Sequence, residues 1–153
     1  KAVRYDIKGR KYIDTPAKYY FEDLGLRNAR INFRQTEPTH LMENLIYNEL
    51  RVKGYSIDVG QVVANTRNAN GVSERKQLEV DFVCNKADER IYIQSAYAMP
   101  TPEKQEQELK SLKLINDNFQ KVVIAGGMQP TYRNNDGILI LNIYDFLLNK
   151  VTI

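Results

Sequence analysis

Polar and apolar residues alternate along residues 78–83 (Leu-Glu-Val-Asp-Phe-Val) and again along 92–97 (Tyr-Ile-Gln-Ser-Ala-Tyr). That is the pattern of a half-buried strand, and it predicts an antiparallel hairpin of strands 77–83 and 90–97 around Asn85-Lys86-Ala87-Asp88. Upstream, residues 3–13 read as a first hairpin turning at Lys8-Gly9, ended by Thr15-Pro16. Tyr19, Tyr20, Phe21, Leu24, Leu26, Ile31 and Phe33 surround Gly25 and predict a short helix within an apolar linking segment, 18–34. Leu41, Met42, Leu45, Ile46 and Leu50 recur at helical spacing between Pro38 and Gly54, a helix with its start and stop residues. Residues 55–63 alternate as a strand, and the polar run 65–75 with its Asn-Ala-Asn-Gly predicts an exposed loop. After Pro100-Thr101-Pro102 a helix is expected over 103–118, capped by Thr101, with Leu109, Leu112, Ile115 and Phe119 as its buried stripe. The apolar run 121–125 suits a central strand covered on both faces. Gly126-Gly127 closes it, Asn134-Asn135-Asp136-Gly137 turns, and a strand (138–141) and a terminal helix (143–148) follow.

The order is helix, three strands, helix, strand, strand, helix. It predicts an α/β domain over 36–153 on one mixed sheet flanked by helices, with an N-terminal hairpin extension. Residues 1–35, the hairpin and linking segment, read as the tail of a preceding module. A chain of 153 residues, 42% hydrophobic and 27% charged, is ordinary globular usage and suits a single core. No apolar run approaches the roughly 20 residues that span a bilayer, and no signal peptide stands at the start, so no membrane partner is expected. The chain begins at Lys1 rather than Met, which predicts a fragment of something longer. The lone Cys84 cannot form an internal disulfide, which fits a reducing cytoplasm. At the end of an apolar strand it reads as a buried, inert thiol.

A net charge of +3 is too mild to diagnose a nucleic-acid binder. Lys1, Arg4, Lys8, Arg10, Lys11 and Lys18 crowd the first eighteen residues and read as solvated charges on a surface hairpin rather than a phosphate patch. No G-x-x-x-x-G-K-[ST] loop occurs; Gly126-Gly127-Met128 lacks the lysine and reads as a turn. His40 is the single histidine, which excludes His-rich metal sites, and it falls in a first helical turn. Tyr19, Tyr20 and Phe21 read as packing against the core or neighbouring modules rather than as a stacking platform.

Glu79 and Asp81 share one face of their strand because they are two residues apart, and Gln94 and Ala96 share a face of the next. Adjacent strands that present acids and amides at one sheet edge could hold a divalent metal. An acid in the first helix, an acid on the second strand and Q-x-x on the third resemble the PD-(D/E)XK nuclease superfamily. There the acids bind Mg²⁺, a hard cation suited to oxygen ligands, the metal lowers the pKa of a water, and a lysine stabilises developing charge.

A closer resemblance covers most of the chain. Residues 5–9 (Tyr-Asp-Ile-Lys-Gly), 18–28 (Lys-Tyr-Tyr-Phe-Glu-Asp-Leu-Gly-Leu-Arg-Asn), 42–50 (Met-Glu-Asn-Leu-Ile-Tyr-Asn-Glu-Leu), 79–83, 92–100 and 136–148 resemble the C-terminal part of a bacterial and archaeal AAA-type ATPase family. In that family an ATPase and a winged helix precede a nuclease-like domain of unknown function. The resemblance implies a restriction-endonuclease-like fold, with Glu43 the helical acid, Asp81 the strand-two metal ligand, Glu79 its neighbour and Gln94 the strand-three ligand for Mg²⁺. The motif lysine position holds Ala96, which can neither activate water nor stabilise charge; Lys104 or Lys76 would be the relocated substitute. The expectation is therefore a catalytically degenerate nuclease-like domain of a cytoplasmic ATPase, binding ATP only in a region outside this chain. It would recognise nucleic acid or a protein partner through the old cleft, beside Arg67, Arg75 and Lys76. The alternatives are a Mg²⁺-dependent DNA nuclease with a relocated lysine, and an oligomerisation or docking platform.

Overall fold

A computed structural model describes residues 1–34, 37–67 and 73–153. In chain order the elements are β1 (Arg4–Asp6), β2 (Lys11–Tyr12), α1 (Leu24–Arg30), α2 (Pro38–Val52), β3 (Ser56–Arg67), β4 (Ser73–Lys86), β5 (Glu89–Ala96), α3 (Pro102–Lys113), β6 (Gln120–Ala125), β7 (Tyr132–Arg133), β8 (Leu139–Asn142) and α4 (Ile143–Leu147). The strands build one eight-stranded sheet, ordered β2-β1-β3-β4-β5-β6-β8-β7. β1 runs parallel to β3, β5 to β6 and β6 to β8, and the other neighbours are antiparallel. The mixed α/β sheet flanked by helices is thus the observed architecture. The N-terminal hairpin is hydrogen-bonded into it through β1, so the first residues and the remainder share a sheet.

Each face of the sheet carries its own core. On one side Met42, Ile46, Tyr47 and Leu50 of α2, with Phe146 of α4, pack on Phe82, Cys84, Ile93, Val122 and Ile124. On the other, Leu109 and Leu112 of α3 pack on Val80, Val83, Tyr92, Val123 and Ile140. Gly54, at φ +88, takes the left-handed conformation that stops α2. Gly60 lies where β1 crosses closest: a Cβ there would run into Ile7, Val80 and Val83. Cys84 is buried, as expected, and burial pushes its thiol up.

Several elements differ from the pattern reading, each for a local reason. The polar run 65–75 is not a loop throughout: β3 continues to Arg67 and β4 begins at Ser73, paired across Asn65–Arg75 and Arg67–Ser73. Residues 68–72, with the Asn-Ala-Asn-Gly, and Thr36, the expected start of the domain, lie outside the described residues. α3 stops at Lys113, five residues early, where Leu114 caps it. Ile115 still reaches the core from the following turn, but Phe119 is 42% exposed. Leu45 is 36% exposed, and Asn44 takes the buried position on α2 because it binds the N-terminal segment described below. The short β7 has no apolar signature and was not expected. The β4–β5 turn is tighter than its polar run suggests, with Ala87 at φ +50.

Candidate functional site: an acid cluster closed by a lysine

The paired strands β3 and β4 carry one irregularity. Asp58 opposes Val83 and Gly60 opposes Val80, so two steps on β3 face three on β4. The extra β4 residue is a bulge at Asp81-Phe82, a device that re-aims side chains. Before it, Val80 faces the α3-side core; after it, Phe82 and Cys84 face the α2-side core. Glu79 and Asp81 both end up on the α2 side, where Glu43 of α2 meets them.

Their common partner is Lys18, from the extended segment 14–23 between β2 and α1. Its Nζ lies 3.0 Å from Glu43 Oε1, 2.5 Å from Glu79 Oε1 and 3.8 Å from Asp81 Oδ1. Tyr20, two residues on and hence on the same side of an extended segment, donates its hydroxyl to Glu43 Oε1 at 2.7 Å. Arg4 closes the outer flank, 3.2 Å from Glu79 Oε2, and its guanidinium also donates to the carbonyl of Pro16. Ser95 N–H donates to Asp81 Oδ2 at 2.8 Å.

This segment is clamped as a strap. Asn44 accepts from Phe21 N–H at 2.9 Å and donates to its carbonyl at 2.7 Å, while Asn48 donates to the carbonyls of Phe21 and Glu22. The Tyr20 ring stacks on Tyr47 at 4.1 Å between centroids. Of the Tyr19-Tyr20-Phe21 run only Tyr20 packs inward; Tyr19 and Phe21 are exposed. Lys18 and Arg4 are therefore not solvated hairpin charges, as their place in the sequence suggested. Each is spent on the acid cluster.

The electrostatics are close to balanced. Three carboxylates face two cations, an excess of one negative charge. Burial first, then the Glu43 charge, push the Asp81 carboxyl up to about 7, against the opposing pull of the Ser95 N–H and Lys18. A proton on Asp81 leaves two carboxylates and two cations. Burial alone would lower the Lys18 ammonium, but its bond to Glu79 and the charges of Glu43 and Asp81 outweigh that and raise it. Burial, followed by the Glu43 charge and hydrogen bond, holds Tyr20 protonated as a donor.

Glu43, Glu79 and Asp81 are thus brought together; Gln94 is not with them. It lies between Tyr92 and Ala96, both in the α3-side core, and its Oε1 accepts from the buried Ser111 hydroxyl at 3.3 Å. Ala96 is buried in that same core, so a lysine there would have to enter apolar packing. Lys104 pairs with Glu108 at 2.6 Å, and Lys76 is exposed on β4 opposite Ala64. As placed, these donors do not form a Mg²⁺ site. An ammonium fills the space between the carboxylates, the amide ligand faces away, and among the described residues no group of three His, Cys, Asp or Glu side chains could hold a metal. His40, in the first turn of α2, is exposed with Nδ1 3.3 Å from Glu37. Lys18 and Tyr20 were the residues missed. The available signal was their i, i+2 spacing just after Pro16, which aims an ammonium and a hydroxyl the same way.

Residues 39–146 match the family described as "Domain of unknown function (DUF4143)". The chain is 34% identical over 148 residues to an uncharacterized protein of Haemophilus influenzae, covering 97% of this chain and 33% of the relative. It therefore spans about a third of the length of that relative. No solved structure matches it. No helix among the described residues is long and apolar enough to cross a membrane.

Proposed function

The chain belongs to the DUF4143 family, and on that footing we propose that it is a non-catalytic, nuclease-like recognition domain of a larger AAA-type ATPase. The observation that carries this reading is the position of Lys18. Its ammonium stands among the three acids at ion-pair distance and compensates their charge from within the chain. Two further features agree with it: Gln94 is spent on Ser111, and position 96 is apolar. On this reading Glu43, Glu79 and Asp81 no longer serve a Mg²⁺ ion. They anchor the N-terminal strap, and the recognition work falls to other surfaces. The ATPase module belongs to the remaining length of the parent protein, as the resemblance to the ATPase family and the partial coverage of the relative suggest.

A second reading is favoured by one distance: Lys18 Nζ is 3.8 Å from Asp81, near enough for Lys18 itself to serve as a relocated catalytic lysine. One experiment separates the two. Labelled single- and double-stranded DNA is incubated with the purified domain and Mg²⁺ or Mn²⁺, alongside Asp81→Ala and Lys18→Met. The proposal expects no cleavage from any of them. Cleavage by the unaltered domain that is lost in Asp81→Ala would overturn it in favour of the nuclease.

A further inference from the structure

β3 and β4 outrun every other strand of the sheet. β1 pairs with β3 only over Val59–Gln61, and β5 pairs with β4 only over residues 82–86. Beyond those points, residues 62–67 and 73–78 have only each other. At about 3.4 Å per residue, six residues make an arm, a ribbon roughly 20 Å long whose inner half is packed at the core. Its root holds the buried Val62 and Ala64, while Val63, Asn65 and residues 73–77 are exposed. A two-stranded ribbon is marginal in water by itself, and open edges invite pairing with another strand, which edge lysine and arginine oppose. Arg75 and Lys76 stand on that edge. The arm is therefore suited to a charged partner rather than to strand addition.

The β1–β2 turn lies against the root of the arm. Lys8 and Arg10 stand at the arm's end of a groove of about 750 Å³ that Val63 and Asn65 also line and that continues to Arg90, Asp88, Glu89 and Asp117. Lys8, Arg10, Lys11, Arg75 and Lys76 are exposed, and among the described residues none of the five forms an ion pair. Arg4 and Lys18, by contrast, are consumed by the acid cluster. With Glu74 and with Asp6, which accepts from Gly9 N–H in the turn, these five cations leave three net positive charges at that end.

We propose that the arm and the adjoining turn form a docking surface for duplex DNA. The major groove of B-form DNA, about 12 Å wide, admits a two-stranded ribbon, whereas the deep, narrow major groove of A-form RNA does not. Arg75 pairs with Asn65 and Lys76 with Ala64, so the two cations lie on opposite faces of the ribbon. Each can reach a different phosphate wall while Asn65 and Gln77 offer amides to base edges. Lys8, Arg10 and Lys11 would then lie along the backbone beside the groove. Little apolar area is offered, Val63 being the one large exposed aliphatic side chain of the arm among the described residues, which disfavours a hydrophobic protein partner. The inference names the partner of the recognition domain proposed above; it rests on the recognition role and not on the state of the acid cluster.

Fluorescence anisotropy with a labelled DNA duplex of about 20 bp, its single strand and the matching RNA duplex, across a salt series, tests it on the intact chain. The expected result is preferential binding of duplex DNA. The slope of log K against log salt should be about −4, each phosphate contact contributing about −0.9. Arg75→Glu with Lys76→Glu, and separately Lys8→Glu with Lys11→Glu, should each weaken binding at least about tenfold and flatten the slope by about 2. Lys110→Glu, on the exposed side of α3, should leave both unchanged. If the doubly reversed arm fails to fold by circular dichroism, Arg75→Gln with Lys76→Gln should show the same direction with a smaller loss. The inference is overturned by absence of duplex binding at about 50 mM salt, by equal binding of the RNA duplex or single strand, or by a Lys110→Glu loss equal to that of the arm variants. Those outcomes leave the non-catalytic reading standing, whereas cleavage of the bound duplex would overturn that reading and leave this one.

Discussion

Replacing Lys18 by Met keeps most of the apolar stem and removes the charge, which tests how far the strap depends on the acid cluster. Lys18 faces three carboxylates, and its side chain is 26% exposed, against 17% for Glu43 and 12% for Asp81. Breaking a fully buried pair by removing one partner costs about 3–5 kcal/mol, and a fully exposed pair is worth about 0.2–1 kcal/mol. A site one-quarter exposed falls between these limits, nearer the buried one, so a loss of about 2–3 kcal/mol is expected at pH 7.5. With a urea m-value of about 2 kcal/mol/M, that moves the midpoint by about 1 M or more. The loss should depend on pH. Without Lys18 the Asp81 carboxyl loses a group that lowers its pKa, so it binds its proton more tightly and the uncompensated charge falls as the solution is acidified. At pH 5.5 the destabilisation should be about 1 kcal/mol smaller than at pH 7.5. Urea unfolding followed by tyrosine fluorescence reads both values, since the chain has ten Tyr and no Trp. A loss below about 0.5 kcal/mol, the range of an ordinary surface substitution, or one indifferent to pH, would refute the picture of a buried compensating ammonium.

Asp81→Asn mimics the protonated carboxyl. The folded pKa of Asp81, about 7, stands above its ordinary value of 3.8, so its contribution to stability is fully present below about pH 4 and is lost as pH rises through 7. The variant should match the unaltered domain in acid and exceed it by about 2–4 kcal/mol at pH 8.5, measured by urea unfolding at both pH values; a variant less stable at pH 8.5 would contradict the assignment. Asn44→Ala removes both hydrogen bonds to the Phe21 backbone and should cost about 2–3 kcal/mol. Faster amide exchange should be confined to residues 18–23; exchange that rises uniformly across the sheet would show that the clamp is not local.

The pattern of residues was sufficient for the elements that bury a face. The helical spacing of Met42, Ile46 and Leu50 and the continuous 121–125 run sit where they were expected, because each is written by its contact with a core. The strand over 78–83 is present, but from Val80 onward it is buried on both faces rather than on one. The arm was not legible for the converse reason. Asn65, Arg75 and Lys76 pair with partners but are exposed, so no apolar periodicity records them. Helix α3 was over-extended because Ile115 remains apolar after the backbone has already turned. At the candidate site, the common side of Glu79 and Asp81 followed from their spacing, and Glu43 followed from a family resemblance. The bulge and the strap did not. A bulge shifts which core Phe82 faces without changing the residue types, and the ion pairs of Lys18 join positions whose separation in the chain carries no local signal.

The parallel seating of β1 beside β3 also fixes an order of events during synthesis. Arg4 meets Glu79 across 75 residues, and Tyr55 meets the carbonyl of Ile153 across 98. At about 5–20 residues per second, Arg4 and Lys18 are made several seconds before the strand that carries Glu79 and Asp81. The β1–β2 hairpin is therefore made with the other edge of β1 open, and with Tyr20 uncovered, until Val59–Gln61 and then β4 arrive. Such non-local pairing slows folding, and it places the closing of Lys18 over its acids among the last steps. The burial of Tyr20 against Tyr47 would thus mark the arrival of the native state, and a newly made chain is most open to capture or misassembly in the interval before it.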